Sequence, residues 1–322
     1  MLMIGIDEAG YGPTLGPLCH GLCVLRLPDA PGAAAPDLWA RLAPVASRWP
    51  APLGVVAVDD SKKVYAGHGN LERLRHSVEC FLVCESDRSG GKPSPAEPIV
   101  RLLPPEDLVA VECDPWGRPS ESADAGTHRA LESAEKLKLA LAAEKIAVVR
   151  CCARALSARD FNARLALVGN KADVAWEQVA ALLCAAFALR RPGEPIFAVV
   201  DHQGGRKFYG PRLQALFPDA MVWTESESAE RSAYRWEGGG AMARVEFAEK
   251  AESLSFPVAL ASLAAKLTRE LLMARFNAFF RAHDHSLEPT AGYPADARRF
   301  LKATAALRRR LRIPDEALIR TR

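Results

Sequence analysis

The sequence has no apolar run that approaches the roughly 20 residues of a membrane-spanning helix, although 49% of its 322 residues are hydrophobic. No basic-then-apolar leader is expected either, because residues 1–6 already have the pattern of a buried strand. Its eight cysteines form no Cys-x-x-Cys pair, which favours reduced, buried thiols over a zinc site. No internal repeat is visible. These absences predict a cytoplasmic protein without membrane contact. The length of the chain is sufficient for one large domain with insertions or for two smaller ones.

The net charge is also small, at +3, but its distribution is uneven. Between Arg298 and Arg322 the sequence has nine lysine or arginine residues against two acids, Asp315 and Glu316. The densest part is residues 308–312. A helix with such a basic face suits the phosphate backbone of a nucleic acid, and a solvated surface helix is the alternative interpretation.

Two acids end the first apolar segment. Residues 2–6 read as a buried strand that leads into Asp7 and Glu8, followed by a glycine-rich turn. Two carboxylates at the end of an inner strand are costly without a partner, and divalent cations, which prefer several carboxylate oxygens, are a common partner. The pair therefore predicts either a metal site or a strand end whose acids face water.

Four later segments have the same character as this opening. Two are short strands that lead into polar residues, one lies in a helical stretch, and one is a loop. They are Asp59-Asp60-Ser61-Lys62-Lys63 after residues 55–58, Asp201 after residues 196–200, Ala261-Ser262-Leu-Ala-Ala-Lys266-Leu-Thr-Arg-Glu270, and Gly292-Tyr293-Pro294. In this order, after the opening Asp7-Glu8-Ala9-Gly10, they resemble the motifs of the type 2 ribonuclease H family (ribonuclease HII). The resemblance covers residues 1–26, 55–80 and about 145–300.

The resemblance implies an α/β ribonuclease H-like fold, with a mixed five-stranded sheet flanked by helices. It assigns residues 1–290 to the catalytic domain and residues 291–322 to a basic helical C-terminal extension. Residues 84–126, which are rich in Pro, Gly and Ser, interrupt the pattern and are expected to form an insertion. Residues 233–249 are expected to form an inserted hairpin around three glycines.

Clusters of proline, glycine and serine bracket two apolar stretches inside the first insertion. These stretches, residues 99–103 and 108–113, read as short β-like pieces. A helix over residues 127–144 is expected to close the insertion.

Apolar residues recur every three or four positions within residues 257–282, which predicts a long helix with one buried stripe. The stripe consists of Leu260, Leu263, Leu267, Leu271 and Ala274. Ser262, Lys266 and Glu270 recur at intervals of four and form a separate polar row. This row lies at the margin of the core, where Glu270 can meet acids at the strand ends. An ordinary surface ion pair between Lys266 and Glu270 is the alternative.

The resemblance places metal-binding, catalytic acids at Asp7, Glu8, Asp201 and Glu270, although the family usually has Asp at the last position. Without metal, four crowded carboxylates would raise one another's pKa. With two Mg²⁺ or Mn²⁺ ions bound, all four can stay ionised. Two such ions also activate water and neutralise charge on the attacking and leaving oxygens of a phosphodiester. The implied cofactors are therefore two divalent cations, Mg²⁺ or Mn²⁺.

Residues around these acids are candidates for substrate binding. They are Gly10, Tyr11, Gly12, Ser61, Lys62, Lys63, Arg206, Lys266 and Tyr293. The glycines allow backbone N–H groups to approach a phosphate or a ribose closely, and the cationic side chains offer charge for phosphate. In the family the turn is Gly-Arg-Gly and reads the 2′-hydroxyl, so Tyr11 puts strict recognition of a single embedded ribonucleotide in doubt. Tyr293 either stacks on a sugar or packs after a turn.

Three functions are consistent with this pattern. The first, which the resemblance favours, is a metal-dependent endoribonuclease that hydrolyses the RNA strand of RNA–DNA hybrids by a two-metal mechanism and leaves 5′-phosphate ends. The second is a nuclease of the same fold that acts on another structured RNA or DNA. The third is a non-catalytic nucleic-acid-binding protein, although a binder gains nothing from carboxylates that face phosphate. The expected partner is nucleic acid and the expected state is a monomer.

Overall fold

The computed structural model describes residues 1–28, 36–67, 70–86, 98–118 and 127–321, without the side chains of residues 127–129. The predicted insertion at 84–126 therefore lies partly outside the described residues. The strands are β1 (Leu2–Ala9), β2 (Leu18–Arg26), β3 (Ala46–Ser47), β4 (Val56–Ala57), β5 (Ala147–Leu156), β6 (Ile196–Asp201), β7 (Met221–Glu227), β8 (Arg231–Gly238) and β9 (Ala241–Ala248).

The helices lie between and after these strands, often several in succession. They are α1 (Leu38–Arg41), α2 (Ser61–Val64), α3 (Asn70–Val83), α4 (Pro98–Leu102), α5 (Pro105–Glu112), α6 (Thr127–Ala143), α7 (Ala158–Val168), α8 (Lys171–Phe187), α9 (Gly210–Leu216), α10 (Phe256–His283), α11 (Pro294–Ala303) and α12 (Ala305–Leu311). Short 3-10 helices lie at Ala251–Ser253 and Asp315–Ala317. None of the helices in this part of the chain combines the length and hydropathy that crossing a membrane requires.

Seven of the strands form one mixed sheet in the order β5-β2-β1-β6-β9-β8-β7. β1 pairs antiparallel with β2 and parallel with β6, and β6 pairs parallel with β9. β8 and β7 extend the sheet in antiparallel fashion, while β3 and β4 form a separate pair. Because β1, β6 and β9 run parallel, their carboxyl ends lie at the same edge, where sheets of this kind commonly bind ligands.

Helices cover both faces of the central strands, which explains why β1 is a continuous apolar run rather than an alternating one. Met3 belongs to the core on the α10 side, whereas Leu2, Ile4 and Ile6 belong to the core on the α8 side. Burial of each such side chain stabilises the fold by about 1.5–3 kcal/mol. β1 is thereby held from both faces, and so are the acids at its end.

The expected fold class, a mixed sheet flanked by helices, is confirmed. The sheet has seven strands rather than five, because β8 and β7 extend it beyond β9. The prediction of β-like pieces at 99–103 and 108–113 is wrong, since the chain there forms α4 and α5. Both helices begin with proline, at Pro98 and Pro105, and proline is favourable at a first helical position because the N–H that it lacks would have no partner there.

α10 contributes to two separate cores. Leu260, Leu263 and Leu267 of its first half pack with the core over β1 and β2. Its second half packs in a cluster that we call the distal cluster, which includes Leu15, Met273, Phe276, Phe280, Phe300, Ala317 and Leu318. Ala274, expected in the buried stripe, is exposed, because beyond the sheet the helix turns a different side toward the distal cluster.

Gly21 in β2 lies where α10 approaches the sheet closely. A Cβ at this position would lie 2.0 Å from the carbonyl oxygen of Ala261, and the backbone of a packed helix has little room to move. We expect Gly21→Ala to lower the free energy of unfolding by about 3 kcal/mol, the upper part of the range for overpacked cores, as measured by urea denaturation. Gly12→Ala is the control, because a Cβ there meets nothing within 4 Å. Equal stability of the two variants would contradict the close packing.

Candidate active site

Asp7, Glu8 and Asp201 lie together at the carboxyl edge of the parallel strands. Ile6 pairs with Val200 in the register of β1 and β6, so Asp7 and Asp201 follow the same rung of the sheet. Each of the three acids offers a carboxylate oxygen, and these oxygens lie within 4.8 Å of one another. We call these three residues the acid group. Among the described residues, no other set of three or more histidine, cysteine or acidic ligands meets this spacing.

The three carboxylates are largely withdrawn from water and repel one another. Asp7 is 7% exposed, and burial, followed by the charges of Asp201 and Glu8, raises its pKa well above the ordinary value. Burial and then the charge of Asp201 raise the pKa of Glu8 to about 8. Burial raises the pKa of Asp201 to about 6. At neutral pH the group therefore retains protons unless a cation offsets the repulsion.

Hydrogen bonds from neighbouring elements orient two of these acids. Ser262, on α10, makes a side-chain hydrogen bond to Asp7 that partly opposes the rise in its pKa. The Ser262 hydroxyl also lies 3.0 Å from that of Ser61, which is buried. The backbone N–H of Ala251 donates to Asp201 at 3.0 Å. Ser61, predicted as a substrate contact, is thus placed to support Asp7 through Ser262.

A fourth acid, Glu252, lies near the acid group, although it belongs to none of the motifs in the sequence. Its charge raises the pKa of all three carboxylates, and burial raises the pKa of Glu252 itself. β9 pairs parallel with β6, with Ala248 opposite Asp201, so the 3-10 helix that carries Glu252 begins at the same edge. The signal in the sequence is an acid shortly after the predicted strand, but the parallel direction of that strand cannot be read from local pattern.

The structure does not bring Glu270 into the acid group. Its carboxylate accepts hydrogen bonds from the ammonium of Lys266 at 2.6 Å and from the hydroxyl of Tyr65 at 2.8 Å. Ser262 reaches Asp7, but Glu270 lies roughly 12 Å further along the helix axis. The predicted polar row therefore exists, and its far end forms the ion pair with Lys266 that was the alternative interpretation.

The two lysines of the Asp-Ser-Lys-Lys segment have different surroundings. Lys62 is exposed, and its positive charge lowers the pKa of Glu8 and Asp201 against the larger effect of burial. Lys63 forms an ion pair with Asp59 at 3.2 Å. Of the two, Lys62 is therefore the lysine whose charge acts on the acid group.

The loop after β1, residues 10–15, is named here the glycine loop. Gly10 has a φ of +89°, a left-handed conformation that glycine adopts most readily. Gly12 is exposed, and a Cβ there would meet nothing within 4 Å, so its backbone is open to a ligand. Two N–H groups of the loop donate to the carbonyl of Gly292 at 2.8 and 3.1 Å. The Gly-Tyr-Pro segment therefore lies against the glycine loop.

Tyr11, in the middle of the Gly-x-Gly turn, packs between two elements. Its hydroxyl lies so close to Gly204 that a Cβ there would be 2.5 Å away. The ammonium of Lys171, at the start of α8, lies 4.2 Å from the centre of its ring. Burial, and next the charge of Glu8, raise the pKa of the Tyr11 phenol. Tyr11 is thus held near the acid group by contacts with the protein itself.

The remaining candidates differ in how free they are to bind a substrate. Arg206 donates to Asp173 at 2.6 Å and its side chain is only 14% exposed, so an acid of this chain already occupies it. Tyr293 is 53% exposed and follows the carbonyl that holds the glycine loop. His202 is buried and stacks on Tyr209, with 6.1 Å between the ring centroids, which favours a packing role.

The donor set of the acid group fits a hard divalent cation. It offers carboxylate oxygens from three residues within 4.8 Å of one another, and Mg²⁺ and Mn²⁺ prefer such oxygen ligands. Burial, followed by neighbouring negative charges, raises the pKa values of Glu8 and Asp201, and a bound divalent ion would favour their ionised forms. The residues present therefore suit the metal ions that the sequence predicts.

No protein-family model and no curated protein sequence matches the chain. Solved structures do. Ribonuclease HII from Archaeoglobus fulgidus, in its complex with PCNA, is 17% identical over 100% of this chain and 95% of its own, with a TM-score of 0.46. Ribonuclease H2 from Pyrococcus horikoshii OT3 is 16% identical over 99% of this chain and 92% of its own, with a TM-score of 0.42. Bst-RNase HIII in complex with Mn²⁺ is 14% identical over 99% of this chain and 66% of its own, with a TM-score of 0.38.

These three structures are named ribonuclease HII, ribonuclease H2 and RNase HIII.

Proposed function

We propose that this protein is a metal-dependent endoribonuclease that hydrolyses the RNA strand of RNA–DNA hybrids and leaves 5′-phosphate ends. The observation that carries the proposal is the convergence of Asp7, Glu8 and Asp201 within 4.8 Å of one another. Carboxylates that are buried or half-buried and repel one another are costly, and a protein that only bound nucleic acid would gain nothing from placing them together at this edge of the sheet. The order of motifs in the sequence supports the same reaction.

Asp7, Glu8 and Asp201 would hold two divalent cations, Mg²⁺ or Mn²⁺, with Glu252 rather than Glu270 as the fourth carboxylate. When bound, such ions activate a water molecule and neutralise charge on a phosphodiester. The chain supplies the orientation of the ligands through Ser262 and the 251–253 turn. Glu270 instead holds Lys266 in place, since the two form an ion pair at 2.6 Å.

Substrate contacts would come from groups that remain accessible near the acid group. The exposed Lys62 offers charge for a phosphate, and the open backbone at Gly12 offers N–H groups. Tyr293, more than half exposed, can stack on a sugar. A wider basic surface comes from the exposed residues Arg298, Arg299, Lys302, Arg309, Arg310 and Arg312, which suit a phosphate backbone.

A second candidate function is a nuclease of the same fold with a different substrate preference. Tyr11 favours it, because this side chain is packed against Gly204 and Lys171 where the family has an arginine that reads the 2′-hydroxyl. Recognition of one ribonucleotide within DNA depends on such a reader. Recognition of a continuous RNA–DNA hybrid along its length depends less on such an arginine.

Two isosteric substitutions separate the two candidates for the fourth carboxylate. We expect Glu252→Gln to weaken Mn²⁺ binding at least roughly tenfold, as for groups that support a metal site, because it removes a negative charge felt by all three ligands. Glu270→Gln serves as the matched control and is expected to keep the wild-type affinity, since its carboxylate pairs with Lys266. Calorimetric titration with Mn²⁺ alone checks both, and the reverse ranking would restore Glu270 as the ligand.

The raised pKa of Glu8 predicts that stabilisation of the protein by a divalent cation depends on pH. Glu8 has a pKa of about 8 in the folded protein against an ordinary value of 4.5. Its protonation therefore stabilises the fold fully below pH 4.5, and this contribution is lost as the pH rises through 8. Divalent cations bind the deprotonated carboxylates, so they stabilise the folded protein more at a pH where protonation of Glu8 stabilises it less. We expect Mn²⁺ to raise the Tm by several degrees near about pH 8 and by clearly less near about pH 6.

The double variant Asp7→Asn/Glu8→Gln is the control for that measurement. It removes two ligands with little change in volume, and we expect its Tm to be insensitive to Mn²⁺ at either pH. A Tm increase that the double variant retains, or that is equal at both pH values in the wild type, would argue against cation binding at the acid group.

A panel of labelled nucleic acids tests the reaction itself. With Mg²⁺ or Mn²⁺ we expect cleavage of the RNA strand of a hybrid, weaker cleavage of DNA that contains one ribonucleotide, and no cleavage of duplex DNA. Asp7→Asn, purified in the same way, is expected to lower kcat on the order of a thousandfold, since it removes transition-state stabilisation of several kcal/mol. Cleavage of structured RNA in preference to hybrid would favour the second candidate, and no metal-dependent cleavage of any substrate would refute both.

A further inference from the structure

Residues 315–321 run alongside the glycine loop. Leu15 and Ile319 form an antiparallel bridge, and the backbone N–H of Arg320 donates to the carbonyl of Thr14 at 2.9 Å. The two segments are far apart in sequence, so this contact exists only in the folded protein. It places the side chain of Arg320 against the loop that follows the acid group.

The guanidinium of Arg320 binds the loop directly. It donates to the carbonyl oxygens of Gly10 and Pro13, which lie on either side of the exposed Gly12. Arg320 is only 3% exposed, and its guanidinium lies 5.3 Å from the centre of the Phe161 ring. A buried guanidinium is costly unless it is hydrogen-bonded, so the two carbonyls are specific partners that fix both the arginine and the loop.

The segment is also anchored by contacts outside the loop, which allow it to act as a support. The side-chain amide of Asn162, on α7, donates to the carbonyls of Ile319 at 2.7 Å and Glu316 at 3.1 Å. Its oxygen accepts from the N–H of Thr321 at 2.8 Å. Leu318 belongs to the distal cluster with the second half of α10. The support is therefore fixed on both sides of Arg320.

We propose that Arg320 is a positioning residue for nucleic-acid binding, which holds the glycine loop in the conformation that presents Gly12 beside the acid group. The benefit to substrate binding rests on the proposed function, whereas the hold on the loop does not. Loss of the side chain would free the carbonyls of Gly10 and Pro13 and loosen the loop between them. The acid group itself, positioned by β1 and β6, would keep its geometry.

Three variants test this inference. Arg320→Met keeps the aliphatic stem but removes the nitrogen that donates to both carbonyls, and Arg320→Lys keeps the charge but ends about one bond short of the position of that nitrogen. Arg191→Met is the control for loss of an arginine charge, since Arg191 is exposed and precedes β6 at the edge of the sheet opposite the acid group.

Hydrogen exchange measures the hold on the loop without any substrate. The amides of Thr14 and Leu15 are hydrogen-bonded to Gly292, and we expect them to exchange about tenfold faster in Arg320→Met, because hydrogen bonds from a charged donor are worth about that factor or more. Arg320→Lys is expected to lie between this variant and the wild type, and Arg191→Met to match the wild type. Wild-type exchange in Arg320→Met overturns the inference, as does wild-type exchange in Arg320→Lys should the methionine variant not fold.

Kinetics on an RNA–DNA hybrid then measure the consequence for binding. In Arg320→Met we expect KM to rise about tenfold while kcat changes less, because the loop binds substrate and the acid group performs the reaction. Mn²⁺ affinity, measured by calorimetry, is expected to stay at the wild-type value, and Arg320→Lys to recover part of the KM. A wild type that cleaves nothing counts against the proposed function, and the hold on the loop is then decided by the exchange data alone.

Discussion

The parallel pairing of β1 with β6 is the constraint on which the candidate site depends. The register runs from Leu2 opposite Ile196 to Ile6 opposite Val200, and β1 is buried on both faces. A slip by one residue would exchange the side chains of β1 between its two cores and put a larger residue where Gly5 lies against the backbone of Pro257 and Val258, so close packing fixes the register. Asp7 and Asp201 follow the same rung and share its position. The apolar core thus holds the carboxylates together, although their mutual repulsion alone would drive them apart.

α10 transmits this order from the acid group to the glycine loop. Ser262 lies in its first half and reaches Asp7. One further turn carries Lys266, and Arg269 donates to the carbonyls of Leu15 at 3.3 Å and Ala291 at 3.1 Å. The helix then enters the distal cluster, which also contains Leu15 and Leu318. A single packed helix therefore links the acid group, the glycine loop and the segment around Leu318.

Local pattern predicted the parts of the structure that depend on burial and period. The apolar runs before Asp7 and Asp201 identified two inner strands, and the three- and four-residue spacing identified α10. The spacing of apolar residues predicts which face of a helix is buried. It does not predict which neighbouring element a residue meets along the helix axis, so it could not show that Glu270 lies about two turns beyond the acid group. Glu252 was missed because it depends on the parallel direction of β9.

Composition predicted the charge of a surface but not the burial of one residue within the same stretch. The excess of lysine and arginine after Arg298 predicted a basic face, and most of those side chains are exposed. Arg320 belongs to the same run yet is 3% exposed, because the bridge between Leu15 and Ile319 draws it against the glycine loop. α7 was not predicted either, although its Asn162 anchors that segment. Such roles arise from pairs of segments distant in sequence, and no local period reports them.

The ion pairs of the lysine and arginine side chains near the acid group relate metal binding to phosphate binding in the proposed function. Lys63 pairs with Asp59, Arg206 with Asp173 and Lys266 with Glu270, so acids of the chain already occupy these three candidates. Within the described part of the chain Lys62 forms no such pair, and its charge acts on Glu8 and Asp201 instead. Divalent cations that offset those carboxylates would relieve Lys62 of that role. Its charge would then be available to a phosphate, so metal and substrate would each favour the binding of the other.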